Sequence, residues 1–299
     1  MKFEVDKELF PFENYFLTTN NGSEVHYVDE GEGPIILMLH GNPAWSFLYR
    51  KMITKLSMQF RCIAPDYPGF GLSTAPDGFD FLASSQSEVM IEFVEKLELK
   101  DFFIVMQDWG GPIGLAIAEK FPERVLGMVI GNSWAWPLKD QARFRVFSWL
   151  MGGPIGRLMA NSFNGVWRFF MKEGFVDARS DREMAMYEAP FRDRGNRKQT
   201  SIFPRQLVKA YEFEAQVEAG LDQLAGKPVL FLWGNKDFAF QEPELERFKS
   251  HFPDHVYHSL EASHFWQDEQ GEVASDFLLD WVPELGRDSR QANDQFYPS

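Results

Sequence analysis

Apolar runs of five to seven residues alternate with longer amphipathic segments along most of the chain. The runs lie at 34–40, 60–64, 102–106, 125–130 and 228–233. Short, nearly continuous apolar runs are typical of strands in a parallel sheet that is covered on both faces. Helical patterns between them, for example at about 83–97 and 111–121, complete a strand–helix alternation. The pattern therefore predicts an α/β fold with a mostly parallel sheet and helices on both faces.

The alternation stops between about residues 134 and 217. Aromatic side chains recur there at helical spacing, and Gly152-Gly153-Pro154 interrupts the pattern. We interpret this stretch as a helical cap inserted into the sheet domain. The expected organisation is a sheet domain formed by residues 1–133 and 218–299, with the cap at 134–217.

The two ends of the chain differ from the middle. Residues 15–19 and 24–30 flank Asn20-Asn21-Gly22-Ser23, which predicts a hairpin and an antiparallel beginning of the sheet. From about Gly286 onward the sequence is polar and without periodicity. This part of the chain is expected to form a loose tail.

Charge and composition narrow the class of protein. The chain has 44 acidic and 30 basic residues, a net charge of −14. This balance argues against nucleic acid and against an anionic membrane surface as partners, because both need a positive face. The 30 Phe and 9 Trp residues predict an unusually aromatic interior or pocket.

The single cysteine and the apolar segments indicate the compartment. Cys62 excludes an internal disulfide and lies in an apolar run, which favours a buried strand position. The first twelve residues lack the apolar stretch of a signal peptide. No run approaches the roughly 18 apolar residues of a membrane span. A cytoplasmic protein is the expectation.

Asp108 lies in the turn between the run at 102–106 and the next predicted helix. A sharp turn in this position is a nucleophile elbow, which lifts one side chain above the sheet. A carboxylate beside a helix N-terminus is ionised at neutral pH and needs no general base before it attacks. It can displace a leaving group from sp³ carbon and form a covalent alkyl ester. The alternative interpretation is an aspartate that only caps the helix.

A histidine and a second carboxylate follow in the chain order of an α/β-hydrolase triad. His264 comes after the last predicted strand at 256–260, and Asp237 comes just past the run at 228–233. We expect His264 to deprotonate the water that hydrolyses the ester and Asp237 to orient its imidazole. Asn132 occupies the competing position for the acid, but it carries no carboxylate.

Neither a metal nor a cofactor is predicted. The spacing of His251, His255 and His258 could suggest zinc, but these residues span a helix end, Pro253 and a strand, so no single element would present all three. His40 is expected to support the backbone of its own loop.

Asn42 and Trp109 are predicted to contribute two kinds of donor. Their backbone N–H groups lie after the first buried strand and after the nucleophile, where this arrangement places its oxyanion site. Their side chains add an amide NH₂ and an indole N–H. Two neutral donors beside an aspartate can hold a departing halide without protonating it. The alternative for Trp109 is a core aromatic residue.

Four motifs resemble those of haloalkane dehalogenases and span both halves of the sheet domain. They are HGNPAWSFLYR at 40–50, DYPGFGLS at 66–73, QDWGGPIG at 107–114 and SHFWQDE at 263–269. The resemblance implies an α/β-hydrolase fold with a cap and hydrolysis of a haloalkane to alcohol, halide and a proton. The partners that it implies are a small apolar halogenated substrate, water and halide.

The same resemblance implies the residue roles. Asp108 would be the nucleophile, His264 the base and Asp237 the catalytic acid, and Asn42 with Trp109 would hold the halide. In this family the catalytic acid follows either of two strands. The combination of Asp237 with Asn42 is similar to the subgroup in which the acid follows the later strand. Because that subgroup tends to oligomerise, the resemblance implies a homo-oligomer. No residue of this chain by itself indicates one.

Three rival functions remain. Epoxide hydrolases share the fold and the aspartate, and Tyr187 and Tyr211 of the predicted cap could protonate an opening epoxide. Those enzymes usually have His before the nucleophile, where this chain has Gln107. Their HGxP loop usually lacks an Asn at the position that Asn42 occupies here. A different class is a non-catalytic ligand receptor or an oxygenase-like enzyme on the same scaffold, but a receptor would have little reason to retain the triad. A serine esterase is disfavoured because no G-x-S-x-G is present.

Overall fold

A computed structural model describes the backbone of residues 3–294 and the side chains of residues 3–282. Within these residues eight strands form one sheet in the order β1-β2-β4-β3-β5-β6-β7-β8. Their bounds are β1 Tyr15–Thr18, β2 Glu24–Glu30, β3 Ile35–Leu39, β4 Arg61–Pro65, β5 Phe102–Gln107, β6 Val125–Gly131, β7 Val229–Gly234 and β8 His255–Leu260.

The pairing of the strands follows the apolar pattern. The five predicted runs correspond to β3, β4, β5, β6 and β7, and the neighbours from β4 through β3 to β8 are parallel. β1 and β2 form the predicted antiparallel hairpin, and β2 pairs antiparallel with β4. The prediction of a mostly parallel sheet is confirmed. The strands could be located in the sequence because a strand that is buried on both faces is apolar at nearly every position.

Twelve helices cover the sheet or connect its strands within the described residues. They are α1 Arg50–Leu56, α2 Ala83–Lys96, α3 Gly110–Lys120, α4 Ala142–Gly152, α5 Pro154–Phe163, α6 Gly165–Glu173, α7 Asp181–Glu188, α8 Lys198–Lys209, α9 Tyr211–Leu224, α10 Glu242–His251, α11 Trp266–Glu269 and α12 Gly271–Asp294. α1 packs with α12, whereas α3 packs with α2 and α9, so that helices flank the sheet on both faces.

The strand order determines where a ligand site can form. The chain moves from β3 outward to β4 and then returns to add β5 on the other side of β3. Loops after β3 and β5 therefore diverge at the carboxyl edge of the sheet. In open α/β sheets this switch point is the usual place for a binding crevice. The loop with Asn42 follows β3, and Asp108 follows β5.

The helical insertion lies between β6 and β7. α4 packs against α5 and α8, and α5 also packs against α6 and α8, which makes a compact cap. α9 instead packs along α3 of the sheet domain and runs to Leu224. The limits of the cap at residues 134 and 217 stay a prediction.

The expectation of a loose tail from Gly286 is wrong for part of the chain, because α12 continues to Asp294. Six of the eleven residues at 284–294 are Glu, Leu, Arg, Gln or Ala, which favour a helix without any apolar periodicity. The rest of the predicted tail, residues 295–299, lies outside the described residues. Among the helices of residues 3–294, none is long and apolar enough to cross a membrane.

Candidate active site

The backbone at Asp108 makes the sharp turn that its position predicts. Asp108 has a φ of 51°, in the left-handed region, and α3 begins two residues later. Glycines allow the loops to approach closely around it. A Cβ on Gly110 would lie 2.2 Å from the carbonyl oxygen of Leu39, and one on Gly41 would lie 2.3 Å from Oδ2 of Asp108. Only glycine fits at these two positions.

Two backbone donors hold the Asp108 carboxylate. The N–H of Asn42 donates to Oδ2 at 2.7 Å, and the N–H of Trp109 donates a second hydrogen bond. Burial raises the pKa of Asp108 to about 6, against the opposing effects of His264 and of these two donors. The side chain is therefore mostly ionised at neutral pH, although it is only 6% exposed.

His264 lies between the two aspartates. Its Nδ1 is 3.0 Å from Oδ2 of Asp237, and its Nε2 is 3.8 Å from Oδ1 of Asp108. Asp237 is itself held by the N–H of Ala239, which donates to Oδ1 at 2.7 Å. Burial lowers the pKa of His264, but the charge and hydrogen bond of Asp237 and the charge of Asp108 outweigh burial and raise that pKa overall.

A cavity of about 170 Å³ lies above these residues, between the sheet and the cap. Asn42, Asp108, Trp109 and His264 contribute its polar lining. The remaining lining is apolar except for Arg143 and comes from Phe144, Phe147, Phe170, Pro204, Leu207, Phe238, Ala239 and Phe240. A carboxylate with a few convergent donors in an apolar cavity fits a small apolar ligand.

Both predicted halide donors face this cavity. The indole N–H of Trp109 makes no hydrogen bond to any residue in the described part of the chain. Trp134 and Phe203 pack edge-on against the Trp109 ring, with centroids 4.7 and 5.3 Å away, and fix its plane. The side-chain NH₂ of Asn42 makes only a long contact of 3.4 Å with the Thr200 carbonyl. Two side-chain donors are thus available beside the carboxylate.

Comparison with known proteins is consistent with this geometry. Residues 34–270 match the family model of the alpha/beta hydrolase fold. Haloalkane dehalogenase 2 of Mycobacterium tuberculosis is 39% identical over 270 residues, which cover 89% of this chain and 94% of that protein. The chain belongs to the haloalkane dehalogenase family. The crystal structure of haloalkane dehalogenase DatA from Agrobacterium tumefaciens shares the fold, with a TM-score of 0.81, 23% identity and coverage of 91% of this chain and 97% of that one.

A relative with another name is also similar. The cis-3-alkyl-4-alkyloxetan-2-one decarboxylase of Shewanella oneidensis is 32% identical over 265 residues, which cover 84% of this chain and 82% of that protein. The haloalkane dehalogenase family thus has a neighbour that is named for a different substrate. Tests of function need to include that substrate class.

Asn132, the competing position for the acid, has a structural role in this dehalogenase family member. Its side chain donates to the carbonyls of Gly234 at 3.0 Å and Phe240 at 3.1 Å, and it accepts from the N–H of Gly234 at 2.7 Å. These bonds join the ends of β6 and β7 and shape the loop that carries Asp237. Sequence reasoning considered only which position held a carboxylate and missed this contribution.

Gln107 contacts the predicted base directly. Its Nε2 lies 2.9 Å from Nε2 of His264 and donates to the carbonyl of His264 at 3.1 Å. The carbonyl accepts only, so the amide presents its NH₂ group to the imidazole. A donor at Nε2 favours the neutral imidazole with its proton on Nδ1, toward Asp237. From the sequence, Gln107 was noted only because epoxide hydrolases usually have His at this position.

The side chain of His40 bonds to the backbone around it. His40 bonds to the Gly41 carbonyl through Nδ1 at 2.8 Å and accepts from the N–H of Tyr67 through Nε2 at 3.2 Å. It therefore supports the backbone of its loop, as expected.

Throughout the described residues, no group of three or more His, Cys, Asp or Glu side chains is arranged to hold a metal ion.

The two cap tyrosines lie away from the cavity. Tyr187 is fully buried, and its hydroxyl donates to Asp268 at 2.5 Å. Tyr211 is 38% exposed and its hydroxyl bonds to Glu212 at 3.2 Å. Neither residue lines the cavity beside Asp108. The proton donor that an epoxide hydrolase would need is not supplied by these two residues.

A buried charge network connects the cap to the segment after His264. Arg50 of α1 donates to Asp268 of α11 at 2.5 Å and to Glu183 of α7 at 2.6 Å. Tyr187 of α7 shares the same oxygen of Asp268. Burial opposes ionisation of Asp268, but the charges of Arg50 and Lys51 outweigh it and lower the pKa of this carboxyl.

Loss of this network should destabilise the fold strongly. Asp268→Asn keeps the shape but leaves the buried Arg50 without its closest carboxylate, which costs about 3–5 kcal/mol in comparable buried pairs. Urea unfolding would measure the decrease. Asp276→Asn breaks the more exposed pair with Lys55 and should leave the midpoint nearly unchanged. Equal midpoints for both variants would show that the network adds no stability.

Glu214 supports the aromatic residues behind Trp109 and makes stability depend on pH. It is buried and accepts the indole N–H of Trp134 at 3.1 Å. Burial raises its pKa from 4.5 to about 8, although the bond from Trp134 opposes this shift. The folded protein therefore binds more protons than the unfolded chain between these values, and stability should fall as pH rises through that range.

Glu214→Gln should remove this contribution to the pH dependence. The expected result is a smaller decrease in urea midpoint from pH 5 to pH 8 for the variant than for the natural protein. Glu119 has a pKa that burial also raises to about 8, so part of the dependence should persist in the variant. Parallel pH profiles for both proteins would contradict the assignment to Glu214.

Proposed function

We propose that the protein hydrolyses haloalkanes to alcohol, halide and a proton through a covalent alkyl ester on Asp108. The observation that carries this proposal is an ionised carboxylate beside two available side-chain donors in an apolar cavity, with a His–Asp pair next to it. Membership of the haloalkane dehalogenase family supports the same reaction. No cofactor enters the scheme.

In the first step the carboxylate attacks the carbon that bears the halogen. Oδ2 of Asp108 is held by the Asn42 N–H, and Oδ1 faces His264. We assign the attack to Oδ1, because Oδ2 then keeps its hydrogen bond from the Asn42 N–H for the second step. The carbon–halogen electron pair leaves on the halide, which the side-chain N–H groups of Trp109 and Asn42 stabilise.

In the second step water hydrolyses the ester. Esterification removes the charge of Asp108, which is one of the interactions that raise the pKa of His264. The imidazole is then more readily neutral and can take a proton from water through Nε2. The oxyanion forms on Oδ2, which the N–H of Asn42 already holds, and the N–H of Trp109 donates to the same carboxylate group. Collapse of the oxyanion breaks the bond between Cγ and Oδ1, and the alcohol leaves with the proton that His264 took from water. The carboxyl left on Asp108 then loses its proton to solvent, which restores the carboxylate and gives the proton counted as product.

Halide release from 1-bromobutane and 1,2-dibromoethane would test the proposal. Styrene oxide and a cis-3,4-dialkyl oxetan-2-one serve as alternative substrates, assayed by diol and alkene formation. We expect halide from the bromides and little product from the other two. Diol without halide would favour an epoxide hydrolase, and alkene without halide would favour the decarboxylase activity for which the Shewanella relative is named.

The role of the halide donor can be separated from that of the cavity wall. Trp109→Phe keeps an aromatic ring but removes the N–H, and it should lower kcat/KM for the bromides by roughly 10–100-fold, the usual effect of losing a hydrogen bond to a charged group. Trp149→Phe, on the exposed outer side of α4, is the matched control and should keep full activity. Equal activity of both variants would remove Trp109 from halide binding.

A further inference from the structure

The distribution of charge in the cap differs from that of the whole chain. Residues 141–172 contain no acidic residue, although the net charge of the chain is −14. The same segment has five basic residues, Arg143, Arg145, Arg157, Arg168 and Lys172. The segment comprises α4, α5 and most of α6. Positive charge is therefore concentrated on one part of the cap.

Large apolar side chains are exposed on the same two helices, α4 and α5. They are 43–70% exposed and comprise Val146, Trp149 and Leu150 of α4 with Ile155, Leu158 and Phe163 of α5. Both helices pack on α8, and their exposed residues lie on the surface that α8 does not cover. We call these six residues the outer cap face. Contiguous apolar exposure of this kind marks an interaction surface.

The basic residues beside the outer cap face are mostly unneutralised. Arg143 pairs with Glu244, but Arg145, Arg157 and Arg168 form no ion pair with any residue in the part of the chain that the structure describes. All three are exposed. The occupant of this surface should therefore combine an apolar phase with negative charge.

We propose that the outer cap face docks on an anionic lipid surface. Helices with Trp, Phe and Leu on one side and arginines beside them bind in the interface of a bilayer, where the apolar side chains enter and the guanidinium groups meet lipid phosphates. A two-fold contact between copies of this chain would instead bring the same free arginines together, which is unfavourable. Charge complementarity thus selects the lipid surface.

This docking surface goes beyond the proposed reaction and does not rest on it. The sequence had argued against an anionic membrane because the net charge is negative, but net charge averages over faces that differ. The inner side of α4 carries Phe144 and Phe147, which line the cavity. A docked cap would therefore place one cavity wall one helix diameter away from the lipid.

Flotation with vesicles tests the proposal. The full chain would be mixed with vesicles of phosphatidylcholine alone or with one third phosphatidylglycerol, at low and at high salt. We expect binding to the anionic vesicles, at least tenfold weaker binding to the neutral ones, and release by salt, because surface charges are screened. Equal binding to both compositions, or none to either, would overturn the proposal.

Paired variants locate the surface. Trp149→Ser with Phe163→Ser should weaken anionic-vesicle binding at least tenfold, whereas Met58→Ser, which changes a 74% exposed residue outside the cap, should not. Replacing Arg145, Arg157 and Arg168 by Gln should weaken binding roughly fivefold for each arginine. Urea midpoints equal to that of the natural protein would show that the variants fold.

Self-association provides the decisive alternative outcome. Sedimentation velocity would be measured for the natural protein and for the Trp149→Ser, Phe163→Ser variant. An oligomer that dissociates in this variant, together with unchanged vesicle binding, would assign the outer cap face to a contact between copies and overturn the lipid assignment. A variant that loses vesicle binding and keeps the mass of the natural protein would support it.

Discussion

Asp108→Ala is expected to abolish halide release even in the first turnover. The side chain supplies the electrons that form the carbon–oxygen bond, and no other carboxylate among the residues lining the cavity could replace it. Loss of a nucleophile in a comparable enzyme lowers turnover by about 10⁶-fold. Halide measured by rapid quench with enzyme in excess over 1,2-dibromoethane would show the loss.

A control variant and the pH dependence sharpen this prediction. Asp237→Asn should retain a first turnover of halide, because Asp237 acts on the second step through His264. In the natural protein the rate of the first turnover should fall as pH decreases through about 6, where burial places the pKa of Asp108, since the protonated carboxyl is not a nucleophile. Halide release by Asp108→Ala, or a rate that is constant well below pH 6, would refute the role of Asp108.

His264→Phe should release about one equivalent of halide and then stop. The first step needs only the carboxylate and the halide donors, whereas hydrolysis of the ester needs a base at the position of Nε2. The stalled protein should gain the mass of the alkyl group, and peptide mapping should place that group on Asp108. A burst of halide and intact-mass spectrometry would measure both parts of this result.

His258→Phe is the matched control. This residue stacks on Phe277 outside the cavity, with ring centroids 3.7 Å apart, and its replacement should leave steady turnover intact. Repeated turnover by His264→Phe would exclude it as the base. Absence of the burst in a folded variant would place His264 in the first step instead.

The sheet and the side chains at its edge could be predicted because local sequence determines them. Strands such as β5, buried at every position, produce apolar runs that no exposed strand shows. Once the strands are located, residues just beyond their carboxyl ends must meet at one edge. Asp108, Asp237 and His264 were all predicted to lie at this edge, and the structure brings the three side chains together there.

The remaining features depend on contacts between distant segments. Nothing near Asn132 or Gln107 in the sequence shows that one shapes the loop of Asp237 and the other faces His264. The charge of the cap was hidden for a similar reason, since a whole-chain sum carries no information about faces. The helix beyond Gly286 was missed because propensity alone, without periodicity, can support it.

The network around Arg50 holds one side of the cap through more deeply buried contacts than the other side. It ties α7 to the segment that follows His264 through buried groups, whereas α4 is tied to α10 by Arg143, whose side chain is 40% exposed. A hinge formed by the buried side would let α4 swing outward while the imidazole stays in register with Asp237. Product egress would then pass beneath α4, so substitutions on its inner side, unlike those at the outward-facing Trp149, should alter turnover through departure of alcohol and halide, with bond cleavage unaffected.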